Sequence, residues 1–199
     1  MNNKKLKELK VLRTFYAESE YHLIKHSENP DFILSDGNGN VFGVEVTEYY
    51  DSPTSGRFKN IPNYFNRLVN NGFIHKEDIG KLVVSEITKI EPDGKENPFK
   101  NKGVLKKVPQ SPDRIETLKK LVTGKNSKYT QYDKALKDID LLIYDKGDLV
   151  AGLEIQKTEI TNYLRKQEKE NTLISPFRKI VIVIEEPSQE LIKILLKSD

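Results

Sequence analysis

The sequence predicts an α/β fold, a mixed β-sheet flanked by helices, built as one domain over residues 1–199. Three observations carry this expectation. The chain opens on an amphipathic helical stripe. Three β-prone runs follow, with the turn-rich segment Ser35–Asn40 before the last of them. The C-terminal half then alternates apolar strands with helical patterns. At 199 residues the chain falls within the range of a single core.

From Lys4 to Glu18, Leu9, Leu12 and Tyr16 form a stripe that Val11 and Phe15 widen, as a helix requires. Tyr21–Glu28 alternates as a short strand, Asn29-Pro30 breaks it, and Asp31–Leu34 resumes as a second. SDGNGN is a strong turn signal, and Val41–Tyr50 is the longest strand of the N-terminal half. Beyond the loop DSPTSG, Phe58–Val69 has a helical pattern interrupted by Pro62, and Lys81–Ile90 reads as a strand. The polar stretch EPDGKENPFKNKG reads as a mobile loop. Ser111-Pro112 opens a long helix over Asp113–Lys137, after which DIDLLIYD and GDLVAGLEIQ read as strands. A charged helix over Thr158–Lys169, the strand KIVIVIEE, and a final helix capped by Ser188 and running through Leu196 complete the chain. No repeat or linker interrupts it.

The chain is 36% hydrophobic and 32% charged, polar for a globular protein but with clear apolar runs, so wholesale disorder is excluded. Cysteine is absent, which excludes disulfides and thiolate metal sites and fits a reducing cytoplasm. The N-terminus MNNKKLKELK is basic without an apolar signal core, and no run reaches membrane-spanning length, so a soluble, intracellular protein is expected. A net charge of +3 is compatible with polyanion binding and shifts the odds only slightly.

The informative residues are Asp31, after Pro30, and Glu45, within Gly43-Val44-Glu45-Val46-Thr47. Side chains alternate along a strand, so Val41, Gly43, Glu45, Thr47 and Tyr49 share one face. A hairpin closed symmetrically about Asn38 sets Asp31 opposite Glu45. Cβ atoms so opposed lie roughly 4.5–5.5 Å apart. Two carboxylates at that spacing repel unless a cation joins them, and hard cations such as Mg²⁺ take such oxygens together with waters and phosphate. A metal so held activates water and neutralises phosphate charge. The bland reading is two solvated acids among the thirty in the chain; the β-prone residues Val44 and Val46 argue for an interior strand instead.

NPDFIL…GNVFGVEVTEYY resembles the core motif of the PD-(D/E)XK nuclease superfamily, whose restriction-endonuclease-like fold has an α-β-β-β-α-β core. The resemblance covers residues 29–50 and the helix before them, and is weak beyond residue 51. It implies that Asp31 and Glu45 bind a divalent metal, Mg²⁺ or Mn²⁺, with the Val46 carbonyl as an extra ligand. It also implies a Lys two residues after the Glu, where this chain has Thr47. A Thr carries no charge, so the site is either inactive or served by a Lys from elsewhere, as in members with the Lys on a neighbouring helix.

Periodicity supplies candidates for that Lys. Ile115, Leu118, Val122, Tyr129, Tyr132 and Leu136 make a stripe, and Lys125 falls inside it where an apolar residue is expected. Lys128 sits at the edge of the stripe, beside Leu121 and Ala135. Snorkelling of the aliphatic stem is the plain alternative for either. The superfamily's further acid, on the first helix, corresponds best to Glu8, because Val11, Leu12 and Phe15 lie three, four and seven residues on. A salt bridge to Lys4, Lys5 or Lys7 explains Glu8 equally well.

A second constellation competes: Glu154 and Gln156 in GLEIQK, preceded by Asp140 and Asp145, without the Pro-Asp and the tight hairpin. His22, His26 and His75 show no metal-ligand spacing. The resemblance therefore implies a metal-dependent nuclease acting on nucleic acid, DNA before RNA, in restriction, phage defence or repair, and it allows a homodimer. Backbone affinity is expected from Arg57, Lys59, Lys106 and Lys107 on loops beside the site. The rivals are an inactive nucleic-acid-binding or protein-interaction module of the same fold, and an inhibitor or immunity factor.

Overall fold

The computed structural model describes residues 3–90, 96–145, 154–170, 174–185 and 191–197. In chain order its elements are α1 (Asn3–Phe15), β1 (Tyr21–His26), β2 (Phe32–Asp36), β3 (Val41–Glu48), α2 (Pro53–Asn60), α3 (Tyr64–Asn71), β4 (Leu82–Ile90), β5 (Glu96–Lys106), α4 (Ser111–Asn126), β6 (Ile139–Asp145), α5 (Glu154–Glu170), β7 (Ile180–Glu185) and β8 (Leu191–Lys197). They fall into two compact units, Met1–Tyr50 with Gln110–Asp199, and Asp51–Pro109. No helix among the described residues is long and apolar enough to cross a membrane.

The first unit is a mixed α/β structure around a six-stranded sheet in the order β1-β2-β3-β6-β7-β8. β3, β6 and β7 run parallel to one another, and the outer strands are antiparallel. Strands covered on both faces need apolar side chains throughout rather than alternation. β6 is accordingly buried at every position, and β7 along all but its last residue. On one face Val11 and Leu12 of α1, with Tyr16 just beyond it, join Phe42, Val44, Val46 and Leu142. On the other, Leu118 and Val122 of α4 and Ile160 and Leu164 of α5 join Leu141, Ile143 and Ile182. Burying such side chains contributes about 1.5–3 kcal/mol each, and this holds the charged helix α5 where propensity alone would not.

Five expectations about elements are corrected. The stretch 96–106 is not a loop but strand β5, paired antiparallel with β4; ladder hydrogen bonds come from the backbone, so a polar, Asn-rich composition does not forbid them. Leu191–Lys197 is not a helix but strand β8, antiparallel to β7. LIKILLK is a short apolar run that either period accommodates, and the open edge of β7 decides. The helix of residues 113–137 ends at Asn126. Pro62 does interrupt the helical pattern, which is two helices, but α2 begins at Pro53, inside the segment DSPTSG expected as a loop. Glu154 and Gln156 lie in the first turn of α5 rather than on a strand; residues 147–153 and Ser188 lie outside the described residues.

The second unit packs α2 and α3 with the β4–β5 hairpin. Tyr64, Leu68 and Leu82 form its apolar centre, with Phe58, Ile61, Ile74 and Val104 against it. Its polar centre is Asp78, fully buried. Asp78 accepts from the Thr54 hydroxyl at 2.7 Å, the Tyr64 hydroxyl at 2.8 Å and Arg57 Nε at 3.0 Å. The Arg57 bonds, foremost, hold its carboxyl well below the usual range.

Two predictions follow from this packing. A Cβ at Gly43 would overlap the Pro30 ring and press on Leu136 at 3.1 Å. Gly43→Ala should therefore cost about 1–3 kcal/mol in urea denaturation, as overpacking does. An Asp78 that stays ionised when folded stabilises above the ordinary carboxylate pKa, and that stability is lost as pH falls towards the depressed value. Asp78→Ala should cost about 3 kcal/mol at pH 7, as loss of one buried partner does. The gap to the wild type should narrow in denaturation curves taken below about pH 4.

Candidate metal centre

The β2–β3 pairing sets Phe32 opposite Val44 and Ile33 opposite Gly43, a register that carries Asp31, one residue before β2, across from Glu45. The turn fixes the register. Asp36 Oδ1 accepts the N–H groups of Asn38 and Asn40, each at 2.9 Å. Gly39 takes a φ of +81°, which an L side chain rarely adopts. Both acids are buried, Asp31 at 7% and Glu45 at 8% exposure. Asp31 Oδ2 accepts the Val46 N–H at 3.0 Å, so Val46 reaches the site through its N–H.

Glu45 pairs in parallel with Leu141 and shares that residue's face of the sheet. α4 covers this face, and Lys125, three residues beyond the buried Val122, reaches across to Glu45. Lys125 Nζ donates to Glu45 Oε1 at 2.6 Å. The stripe that singled out Lys125 thus brings it to the acid pair. Lys128 is left exposed beyond the end of α4, because the helix whose phase would have carried it inward has already stopped.

α1 covers the opposite face. Lys5 Nζ donates to Asp31 Oδ1 at 2.8 Å and to the Ser27 carbonyl at 2.9 Å. It also lies 3.5 Å from Glu8 Oε2, so the buried Glu8 is joined to Asp31 through Lys5. Asp31 thus meets a cation carried by α1, and Glu45 meets one carried by α4. Lys5 was missed among the candidates, and so was Tyr132. The Tyr132 hydroxyl is raised well above its ordinary range by burial and then by the charges of Glu45 and Asp31.

Burial and the charge of Asp31 raise the Glu45 carboxyl, against the pull of Lys125. Burial works against the Lys5 ammonium, but the bond to Asp31 and the charges of Asp31, Glu8 and Glu28 together outweigh it, and the pKa is raised. Among the described residues, two buried carboxylate oxygens, Glu45 Oε2 and Glu8 Oε2, have no hydrogen-bond partner, the Lys5 ammonium lying 3.5 Å from the latter. Leaving such atoms unsatisfied costs about 1–3 kcal/mol or more each, so they fit a missing cation. Among the described residues no three acid or histidine side chains gather into a ready-made cage. The site instead offers a carboxylate pair with a third acid linked to it through Lys5, oxygen donors of the type that hard divalent cations select.

Of the competing acids, Asp140 is otherwise engaged. Asp140 accepts the Tyr16 hydroxyl at 2.6 Å and is held by Arg178 at 2.9 and 2.7 Å, a buried structural tie. His22 and His26 are exposed on the edge strand β1, and His75 caps a short turn by accepting the Glu77 N–H at 3.3 Å. The basic residues expected on loops are placed in the second unit. Arg57 and Lys59 lie in α2, Lys106 ends β5, and only Lys107 follows as loop. Arg57 is engaged by Asp78 and Lys106 by Asp51 at 2.7 Å.

Lys125→Met strands a buried Glu45 and should cost about 3 kcal/mol at pH 7, whereas Lys128→Met should change stability by less than about 0.5 kcal/mol. Urea denaturation of both variants without metal reads the difference. Because the folded carboxyl of Glu45 is raised, metal-free stability falls as pH climbs above its ordinary 4.5, and the fall should be larger in Lys125→Met. No family model, curated protein or solved structure matches the chain.

Proposed function

We propose that the chain is a divalent-metal-dependent nuclease of restriction-endonuclease-like type, hydrolysing phosphodiester bonds in nucleic acid, DNA in the first instance. The observation that carries the reading is the meeting of Asp31, Glu45 and Lys125 around a buried carboxylate oxygen, Glu45 Oε2, that has no close hydrogen-bond partner among the described residues. The element order α1-β1-β2-β3-α4-β6 supports the fold assignment, since it repeats the α-β-β-β-α-β core.

Asp31 and Glu45 would hold the metal, with the Val46 carbonyl as a further donor and Glu8 behind them, joined to Asp31 through Lys5. A bound Mg²⁺ or Mn²⁺ supplies Lewis acidity to the phosphate and acidifies a water. Asp31 is the fixed ligand: each of its oxygens already accepts one hydrogen bond, and each keeps a second lone pair. Glu45 is the ligand with an oxygen to spare. Lys125 stands in for the cation that Thr47 cannot supply and stabilises charge building on the phosphate, an effect worth about 10²–10³ in rate. Restriction, phage defence or repair is the biological setting that the fold suggests by analogy.

A second reading is an inactive module of the same fold. Thr47 in the motif position favours it, as does the neutralisation of both acids by lysines. One experiment separates the two. Purified protein with Mn²⁺ should cleave plasmid or linear DNA, EDTA should abolish cleavage, and Asp31→Asn and Glu45→Gln should each lose more than about 10²-fold while keeping the wild-type circular dichroism. A rise in melting temperature with Mn²⁺ but no cut DNA or RNA would establish the inactive module. Neither cleavage nor a metal-dependent melting shift would remove both in favour of an inhibitor or immunity factor.

A further inference from the structure

We infer that Lys5 is a built-in cation of this site: its ammonium occupies the place between Asp31 and Glu8 that a second divalent ion would otherwise take, so the chain binds one metal ion and not two. The inference rests on the nuclease reading and specifies its metal count.

The contacts of Lys5 are those of a cation in an oxygen cradle. Asp31 Oδ1 lies at 2.8 Å, the Ser27 carbonyl at 2.9 Å and Glu8 Oε2 at 3.5 Å. Two carboxylates and a backbone carbonyl are the donor types that hard divalent ions select. Simple snorkelling does not describe this side chain. Lys4, its neighbour on α1, reaches Glu8 from solvent with 79% of its side chain exposed, whereas the Lys5 side chain is only 13% exposed. Glu8 Oε2 makes no hydrogen bond in this cradle, so one donor is incompletely used by an ammonium. A smaller, doubly charged ion could use it fully once Lys5 is gone.

Charge balance points the same way. Asp31, Glu8 and Glu45 bring three negative charges, and Lys5 and Lys125 bring two positive ones. One divalent ion makes the cluster singly positive, which matches a single phosphodiester anion. A second ion would make it triply positive with no further anion to answer it, and it would have to sit beside the Lys5 ammonium. Removing Lys5 removes both objections.

The test counts Mn²⁺ ions bound per full-length chain, by the electron paramagnetic resonance signal of free Mn²⁺ during titration. Wild type and Lys5→Arg should bind one ion, and Lys5→Met should bind two. A wild type that binds two ions overturns the inference by itself, even if Lys5→Met fails to fold. A folded Lys5→Met that still binds one ion, with unchanged affinity, also overturns it and leaves the nuclease reading standing. A wild type that binds none defeats the nuclease reading, and the inference with it.

Discussion

Three carboxylates buried around the start of β2 have to be neutralised, and no strand of the sheet supplies a cation to do so. Burying an ion without a partner costs several kcal/mol even after relaxation. Two helices on opposite faces therefore each contribute a lysine: α1 gives Lys5 to Asp31 and Glu8, and α4 gives Lys125 to Glu45. The two sides are unequal. Asp31 is bonded at both oxygens, by Lys5 and by the Val46 N–H, whereas Glu45 is bonded at Oε1 and bare at Oε2. Burial and the charge of Asp31 raise the less fully bonded Glu45 carboxyl, against the pull of Lys125.

The surrounding packing holds this arrangement in register. Gly43 lets the Pro30 ring lie against β3, so the turn that ends in Asp31 closes directly on the strand that carries Glu45. The Asp36 turn at the other end of the hairpin prevents a slip, and a one-residue slip would move Glu45 to the wrong face. Asp140 sits in the strand next to Glu45 and is tied to Tyr16 and Arg178, so it remains a structural charge and does not enter the site. Acids on neighbouring strands thus take opposite roles because their partners differ.

What the sequence made legible was what depends on local periodicity and turn chemistry. The pairing of Asp31 with Glu45 follows from a turn symmetric about Asn38, and Lys125 stood out as a charge in an apolar stripe. Glu8 could be placed on the buried side of α1 from Val11 and Leu12. Lys5 could not be distinguished in the same way. In a run with Lys4, Lys7 and Lys10, nothing local says which ammonium turns inward, and only the Ser27 and Asp31 oxygens of the finished fold select it. Tyr132 was counted as one more apolar residue of a stripe, yet it lies beyond the end of the helix and beside the acids. β5 and β8 were missed because a strand's stability lies in its partner, which is distant in sequence or, for a polar run, invisible in composition.

A cation on α4 rather than at position 47 changes what the acid pair depends on. A lysine at 47 would be carried by the same strand as Glu45 and would keep its distance from that acid however the helices packed. Lys125 is carried by a helix, so its place is set by Leu118 and Val122 against the sheet. Two fastenings join α4 to β3 and the residue just beyond it. The Tyr49 hydroxyl donates to the Arg114 carbonyl at 3.1 Å near the start of the helix, and Lys125 meets Glu45 near its end. Tyr49 and Glu45 lie four residues apart on one face of the extended chain, so a single segment aligns both ends of α4. The helix cannot shift along β3 without breaking one bond or the other. The Lys125 ammonium is thereby held in register with Glu45 almost as firmly as if it belonged to the same strand.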